Sequence, residues 1–92
     1  MRSTRQAEEE VRSWGFDHVF TWTDEPNAHY PPHAHSGKTT HLILKGKLTI
    51  SYPDDKEPTR ETFDSGDRLD VEANRRHEVW IGNEGCTYVI GE

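Results

Sequence analysis

A chain of 92 residues makes one small domain, near the lower limit of what folds without staples. Its single cysteine, Cys86, excludes an internal disulfide and fits a reducing compartment, and a formal net charge of −6 argues against nucleic acid, whose phosphates call for a basic surface. No apolar run approaches the roughly 20 residues that span a bilayer. The opening MRSTRQAEEE holds no apolar signal segment, so the expectation is a cytoplasmic protein with no membrane and no nucleic-acid partner.

The predicted elements begin with one helix. Ser3-Thr4-Arg5-Gln6 has the form of a capping box, and Ala7, Val11 and Trp14 follow on one helical face. Gly15 stands where a C-cap calls for positive φ, which places the helix over about residues 4–14. "FDHVFTWT" then reads as a strand with Phe16, His18, Phe20 and Trp22 on one face. "DEPNAHYPPH" reads as a loop, because prolines at 26, 31 and 32 interrupt ladder pairing.

"THLILKGKLTISY" is the strongest strand signal, passing through a turn at Lys45-Gly46-Lys47. The turn cluster "PDDKEP" joins it to "TRETF", and "RLDVEA" follows another turn at "SGD". "HEVWI" and "CTYVIG" read as a closing hairpin across Gly82-Asn83-Glu84-Gly85. Short strands with frequent turns imply an antiparallel sandwich or barrel, all-β after the helix.

In "HLILK" both strand faces are apolar, with Ile43 beside His41 on one and Leu42 with Leu44 on the other. The outer face needs a cover, either the Ala7/Val11/Trp14 stripe or a second subunit. Hydrophobic residues are only 30% of the chain, so the expectation includes a homodimer.

Chemistry concentrates in "HYPPHAHSGKTTH", where four of the six histidines lie between His29 and His41. His33 and His35 leave the same side of an extended segment, with Cα atoms about 6.5–7 Å apart. Two such rings converge on a metal at bond lengths of about 2.0–2.1 Å if a further ligand arrives from elsewhere in the fold. Taken alone, the pair equally describes two exposed loop histidines beside prolines.

The spacing beyond the pair is more specific. Thr39 and Gly46 follow His33-Ala34-His35, and Gly66 precedes His77 by eleven positions. This pattern resembles the cupin superfamily, whose first motif reads His-x-His, Glu, Gly at these intervals and whose second runs from Gly to a His through a Pro-x-Gly turn. The resemblance covers a first motif at 33–46 and a second at 66–81, about half the chain. It implies a small single-domain cupin over residues 1–92, a double-sheet jelly-roll barrel of the RmlC-like kind behind its helix.

Four positions depart from the pattern. Asn27 stands at the expected leading glycine, Thr39 at the glutamate ligand, Glu72 at the proline and Asn74 at the turn glycine. Asn tolerates the left-handed conformation, so the turn at Asn74 survives. Ile81 stands where the family often has Asn.

The resemblance therefore implies a site of three imidazoles, His33, His35 and His77, around one divalent transition metal. By ligand type, iron, nickel, copper and zinc all suit it. His41 lies one pleat beyond Thr39; it is open as a fourth ligand, a hydrogen-bond partner behind the ligands, or a cavity residue. Thr39, His41, Trp22 and Tyr88 are the expected pocket lining, with Tyr30 there or in the core. His18 and His29 carry no chemistry on this reading. Cys86 is a packed thiol without an identified base.

Two functions follow from different classes. Three-histidine cupins include dioxygenases, so one reading is a metal-dependent oxygenase acting on a small molecule. The other is a cupin module that binds a small molecule or metal and catalyses nothing, the glutamate having been lost. Fold alone does not choose between them.

Overall fold

The helix α1 (Thr4–Ser13) forms where the capping box stands. A computed structural model describes residues 3–92. In it Ser3 Oγ accepts from Gln6 N at 3.1 Å, and Gln6 Oε1 accepts from Ser3 N at 2.8 Å. Trp14 is the C-cap, and Gly15 follows at φ +99°. Met1 lies outside the described residues, as does Arg2.

Six antiparallel strands follow: β1 (Val19–Asp24), β2 (His29–His33), β3 (Thr39–Ser51), β4 (Arg60–Phe63), β5 (Arg68–Val71) and β6 (His77–Gly91). The long pair β3 and β6 runs side by side through both layers of the fold. At one end, β1 joins the 86–91 part of β6 and β5 joins the 39–42 part of β3. At the other, β2 joins β6 over 77–80 and β4 joins β3 over 48–51. This is a small antiparallel jelly roll, and its sheet is not closed: β1, β2, β4 and β5 each have one strand partner among the described residues.

Both expected turns in the long strands are bends instead. Neither Lys45-Gly46-Lys47 nor Gly82-Asn83-Glu84-Gly85 reverses the chain; the two stretches lie opposite one another at register shifts in the β3–β6 ladder. The glycines serve close approach there, since a Cβ on Gly46 would sit 2.0 Å from the Gly85 carbonyl oxygen. The bend also flips the alternation. On β3, His41 and Ile43 face inward before it and Leu48 and Ile50 after it; on β6, Val79 and Ile81 give way to Tyr88 and Ile90. A broken period of two looks like a turn in sequence, which is why "HEVWI" and "CTYVIG" read as two strands of a hairpin.

Two further expectations are corrected. Residues 29–33 are a strand, not loop, because β2 is an edge strand whose prolines need donate nothing on their open side. Phe16 does not share a face with Phe20 and Trp22. The strand begins only at Val19, and Phe16 packs on the outer side under the helix.

That outer side is covered by α1. Ala7, Val11, Val19, Leu42 and Val89 form a cluster in which Ala7, Val11 and Val89 are fully buried, with Trp14, Phe16 and Leu44 packed at its margin. Thr21 Oγ1 donates to Glu8 at 2.7 Å, and the Arg68 guanidinium lies 3.8 Å over the Trp14 ring. The helix stripe thus supplies the cover that Leu42 required.

Candidate metal centre and its cavity

His33, His35 and His77 come together from three places in the chain, as the spacing anticipates. One nitrogen from each lies within 4.8 Å of the others, and the ring centroids are 5.0 Å (33–35), 4.4 Å (33–77) and 5.4 Å (35–77) apart. The local sequence explains the convergence. Across Pro31-Pro32, β2 carries one residue more than β6, a bulge that sets His33 directly opposite His77. Asn74 takes φ +62° at the turn before β6, the left-handed conformation expected of it, and its N–H donates to the His35 carbonyl at 2.7 Å. Asn27, the other departure from glycine, has the same φ.

Two rings are held by their backbones. His33 Nδ1 lies 2.8 Å from the Pro31 carbonyl, and His77 Nδ1 lies 2.8 Å from the Arg75 carbonyl. A carbonyl only accepts, so each Nδ1 carries the hydrogen and each Nε2 keeps its lone pair. That is the tautomer a metal requires. Burial lowers the His77 pKa from its ordinary value; the Arg75 carbonyl opposes this, and the imidazoles of His33 and His35 reinforce it. The ring is thereby kept neutral and ready to coordinate.

The turn that carries His77 is tied to the 53–58 loop. Arg76 pairs with Asp54 at 2.7 Å, Arg75 pairs with Asp55 at 3.1 Å, and the Arg75 guanidinium stacks 3.5 Å over Tyr52. These pairs are at the surface and each contributes little alone. Their shared effect is to brace the backbone carbonyl that accepts the His77 Nδ1–H hydrogen bond.

The triad borders a cavity of about 300 Å³ between the two layers. Aliphatic side chains of Leu48, Ile50, Leu69, Val71, Val79 and Ile90 form much of its wall, with Trp22, Tyr30, His41 and Tyr88 as aromatic and polar members. Trp22, 51% exposed, stands at the mouth. Thr39 does not line this cavity; it lines a neighbouring depression with His35, Lys38 and Glu92, and its buried Oγ1 has no hydrogen-bond partner among the described residues.

His41 is not gathered with the triad. It faces the cavity with its ring centroid 5.4 Å from that of Tyr88, and its buried Nδ1 has no partner among the described residues. Burial pushes its pKa down to about 4, while the Leu69 carbonyl opposes and the imidazoles of His77 and His35 add to the effect. His29 faces the opposite way, stacked on Trp80 and 2.6 Å from Glu78. His18 lies before β1, 2.8 Å from the Glu92 carboxylate.

Asp24 is the residue that the sequence did not disclose. It is only 6% exposed and accepts from Trp22 Nε1 at 3.0 Å, from the Tyr30 hydroxyl, and from the Tyr88 hydroxyl at 2.5 Å. Burial first, then its carboxylate, raise the pKa of both tyrosines. Burial, with Asp24 adding, also pushes the Cys86 thiol up to about 11, which leaves it protonated and inert. An aspartate before a Glu-Pro-Asn turn carries no signal that distinguishes it from a solvated turn residue.

No protein-family model and no curated protein matches the sequence. Solved structures do match the fold. A cupin-2 domain-containing protein from Shewanella frigidimarina superposes with a TM-score of 0.66 and 19% identity, over 80% of this chain and 67% of its own. Oxalate decarboxylase from Bacillus subtilis gives 0.69 and 16%, over 78% of this chain and 19% of its own. Drosophila melanogaster CENP-C, bound to CAL1, gives 0.67 and 8%, over 78% of this chain and 62% of its own. The chain therefore has the cupin fold, carrying a histidine cluster suited to a metal ion. It spans less than two thirds of the CENP-C chain and about a fifth of the oxalate decarboxylase.

Proposed function

We propose that His33, His35 and His77 hold one divalent transition metal through Nε2, and that the adjoining cavity presents a small molecule to it, making the chain a small metal-dependent oxygenase. The observation that carries this reading is the pair of Nδ1–carbonyl contacts, which turn two coordination-ready nitrogens toward a third ring. Bacillus subtilis oxalate decarboxylase has Mn(II) centres on the same fold. The donor set here is all imidazole, with no carboxylate in the cluster, and that favours iron, nickel, copper or zinc over manganese. When bound, such a metal supplies a Lewis acid with open positions for substrate and dioxygen. The chain's own part is to orient the ligands, keep His77 neutral and exclude water with the aliphatic wall.

Metal titration into the chelator-treated protein tests this, with His77→Ala beside the parent. The parent should take up one equivalent, and losing His77 should cost most of the affinity, about 100-fold or more. Uptake should weaken at acidic pH, because each ligand must shed its proton to bind. Equal uptake by parent and variant would end the proposal.

A second reading is favoured by one observation: the phenols of Tyr30 and Tyr88 and the buried Cys86 thiol are all pushed upward, so these groups stay protonated and offer no nucleophile. On that reading the chain is a binding module. Metal uptake without oxygen consumption, on a screen of small thiols, diketones and phenols, would select it. Cytoplasmic location and the absence of a nucleic-acid partner belong to the same proposal, supported by the lone reduced thiol and the net charge of −6. Since α1 covers Leu42, a homodimer now rests only on the small apolar content, and sedimentation at micromolar concentration decides it.

A further inference from the structure

We propose that the inter-sheet cavity selects an uncharged, hydroxyl-bearing molecule of the phenol class, read by Tyr30, Tyr88 and His41 and not by the histidine triad. The inference rests on the reading that this cavity takes a small molecule, and it names which kind. Its basis is the direction of the hydrogen bonds. Tyr30 donates to Asp24 Oδ1 and Tyr88 donates to Asp24 Oδ2. A hydroxyl has a single proton, so neither phenol has a hydrogen left to donate; only lone pairs remain, and the Tyr30 oxygen shares its own in part with the Trp22 N–H and the Tyr88 hydroxyl. The polar part of the wall therefore offers acceptors and calls for a donor.

His41 adds a third group on the same wall. Its Nδ1 is buried and unpartnered, a state that costs free energy until a ligand or water meets it. The Leu69 carbonyl only accepts, so the other ring nitrogen carries the hydrogen and Nδ1 is left as an acceptor that a ligand hydroxyl can serve. Burial keeps His41 neutral near pH 7, with its pKa at about 4. Among the described residues, no lysine or arginine lines the cavity. In the metal-free protein a carboxylate entering it would meet phenol lone pairs and no lysine or arginine among the described residues, at a large desolvation cost. The body of the ligand is set by the rest of the wall, which is aliphatic with the Trp22 indole at the mouth, and by a volume at the small end of the roughly 300–1,000 Å³ typical of ligand pockets.

The test titrates phenol, toluene and benzoate into the whole chain, followed by amide shifts in ¹H–¹⁵N spectra, first in chelator and then with one equivalent of zinc. Phenol loses more hydration than toluene on entering an apolar cavity, so a wall without partners would prefer toluene. The parent should bind phenol at least as tightly as toluene in chelator, and benzoate more weakly than either. Tyr30→Phe and His41→Phe should each shift the phenol-to-toluene ratio about three- to tenfold toward toluene, as the loss of one hydrogen bond would. Toluene binding in each variant reports that the cavity is intact. A parent that prefers toluene overturns the proposal, and so does a preference for phenol that appears only with zinc or survives in both variants. Failure of the metal reading looks different: zinc is not taken up, while the phenol preference persists in chelator.

Discussion

His41 and Leu42 are adjacent on β3 and face opposite ways. Leu42 is 2% exposed, packed with Val11, Val19 and Val89 beneath the helix. His41 faces a cavity of about 300 Å³ with a buried nitrogen that has no partner among the described residues. The outer side of this layer is closely packed and mainly apolar; the inner side has its own buried cluster but leaves a cavity and carries His41 and the tyrosine hydroxyls. The two faces of one strand thus differ in how completely they are filled. The outer packing holds the strands in place, and the opposite face can then tolerate a void and unpaired polar atoms.

Truncation should separate the two sides most clearly. Leu42→Ala leaves a cavity in a packed cluster and should cost about 3–5 kcal/mol, measured by urea unfolding. Leu69→Ala, on the wall of an existing cavity, should cost closer to ~2 kcal/mol, because fewer contacts are lost and water has access. If the two costs are equal, or reversed, the contrast between a filled face and an open one is wrong. Neither variant should change metal uptake more than a few-fold, since neither side chain touches the triad's backbone supports.

A smaller effect comes from pH. The His41 pKa is about 4 in the folded protein, against about 6.5 in an unfolded chain, so the unfolded state takes up protons first as pH falls. Stability is full above about pH 6.5 and declines toward pH 4, by on the order of 2 kcal/mol from this group. His77, lowered in the same direction, acts in the same window. Unfolding at pH 7.5 and pH 4.5, for parent and His41→Phe, reads the difference. A variant that loses as much stability as the parent would show that the open face exacts no such cost.

The smallest effect tests the turn that feeds the site. Asn74→Ala places a Cβ-bearing residue without a helpful side chain at φ +62° and should cost about 1 kcal/mol, whereas Asn74→Gly should be close to neutral. Thermal unfolding of both variants resolves this, and an alanine variant as stable as the parent would mean the turn has another solution.

The sequence by itself determined the helix and its caps, because a capping box and an i, i+4, i+7 stripe are local features. It also pointed to the histidine cluster of His33, His35 and His77 and to the left-handed Asn74. The interval from His33 to His77 is long, but the motif spacing preserves it. Tertiary structure alone decided that residues 45–47 and 82–85 are bends, since a glycine at a turn and a glycine where two backbones touch look the same until the partner strand is present. It decided that Pro31-Pro32 is a bulge in an edge strand. It decided that Asp24 gathers Trp22, Tyr30 and Tyr88, a carboxylate whose partners lie as far as 64 positions away. It also left His41 outside the histidine cluster, on the wall of the same cavity. Periodicity says which side of a strand a residue takes, but what stands opposite it is decided only when the layers close.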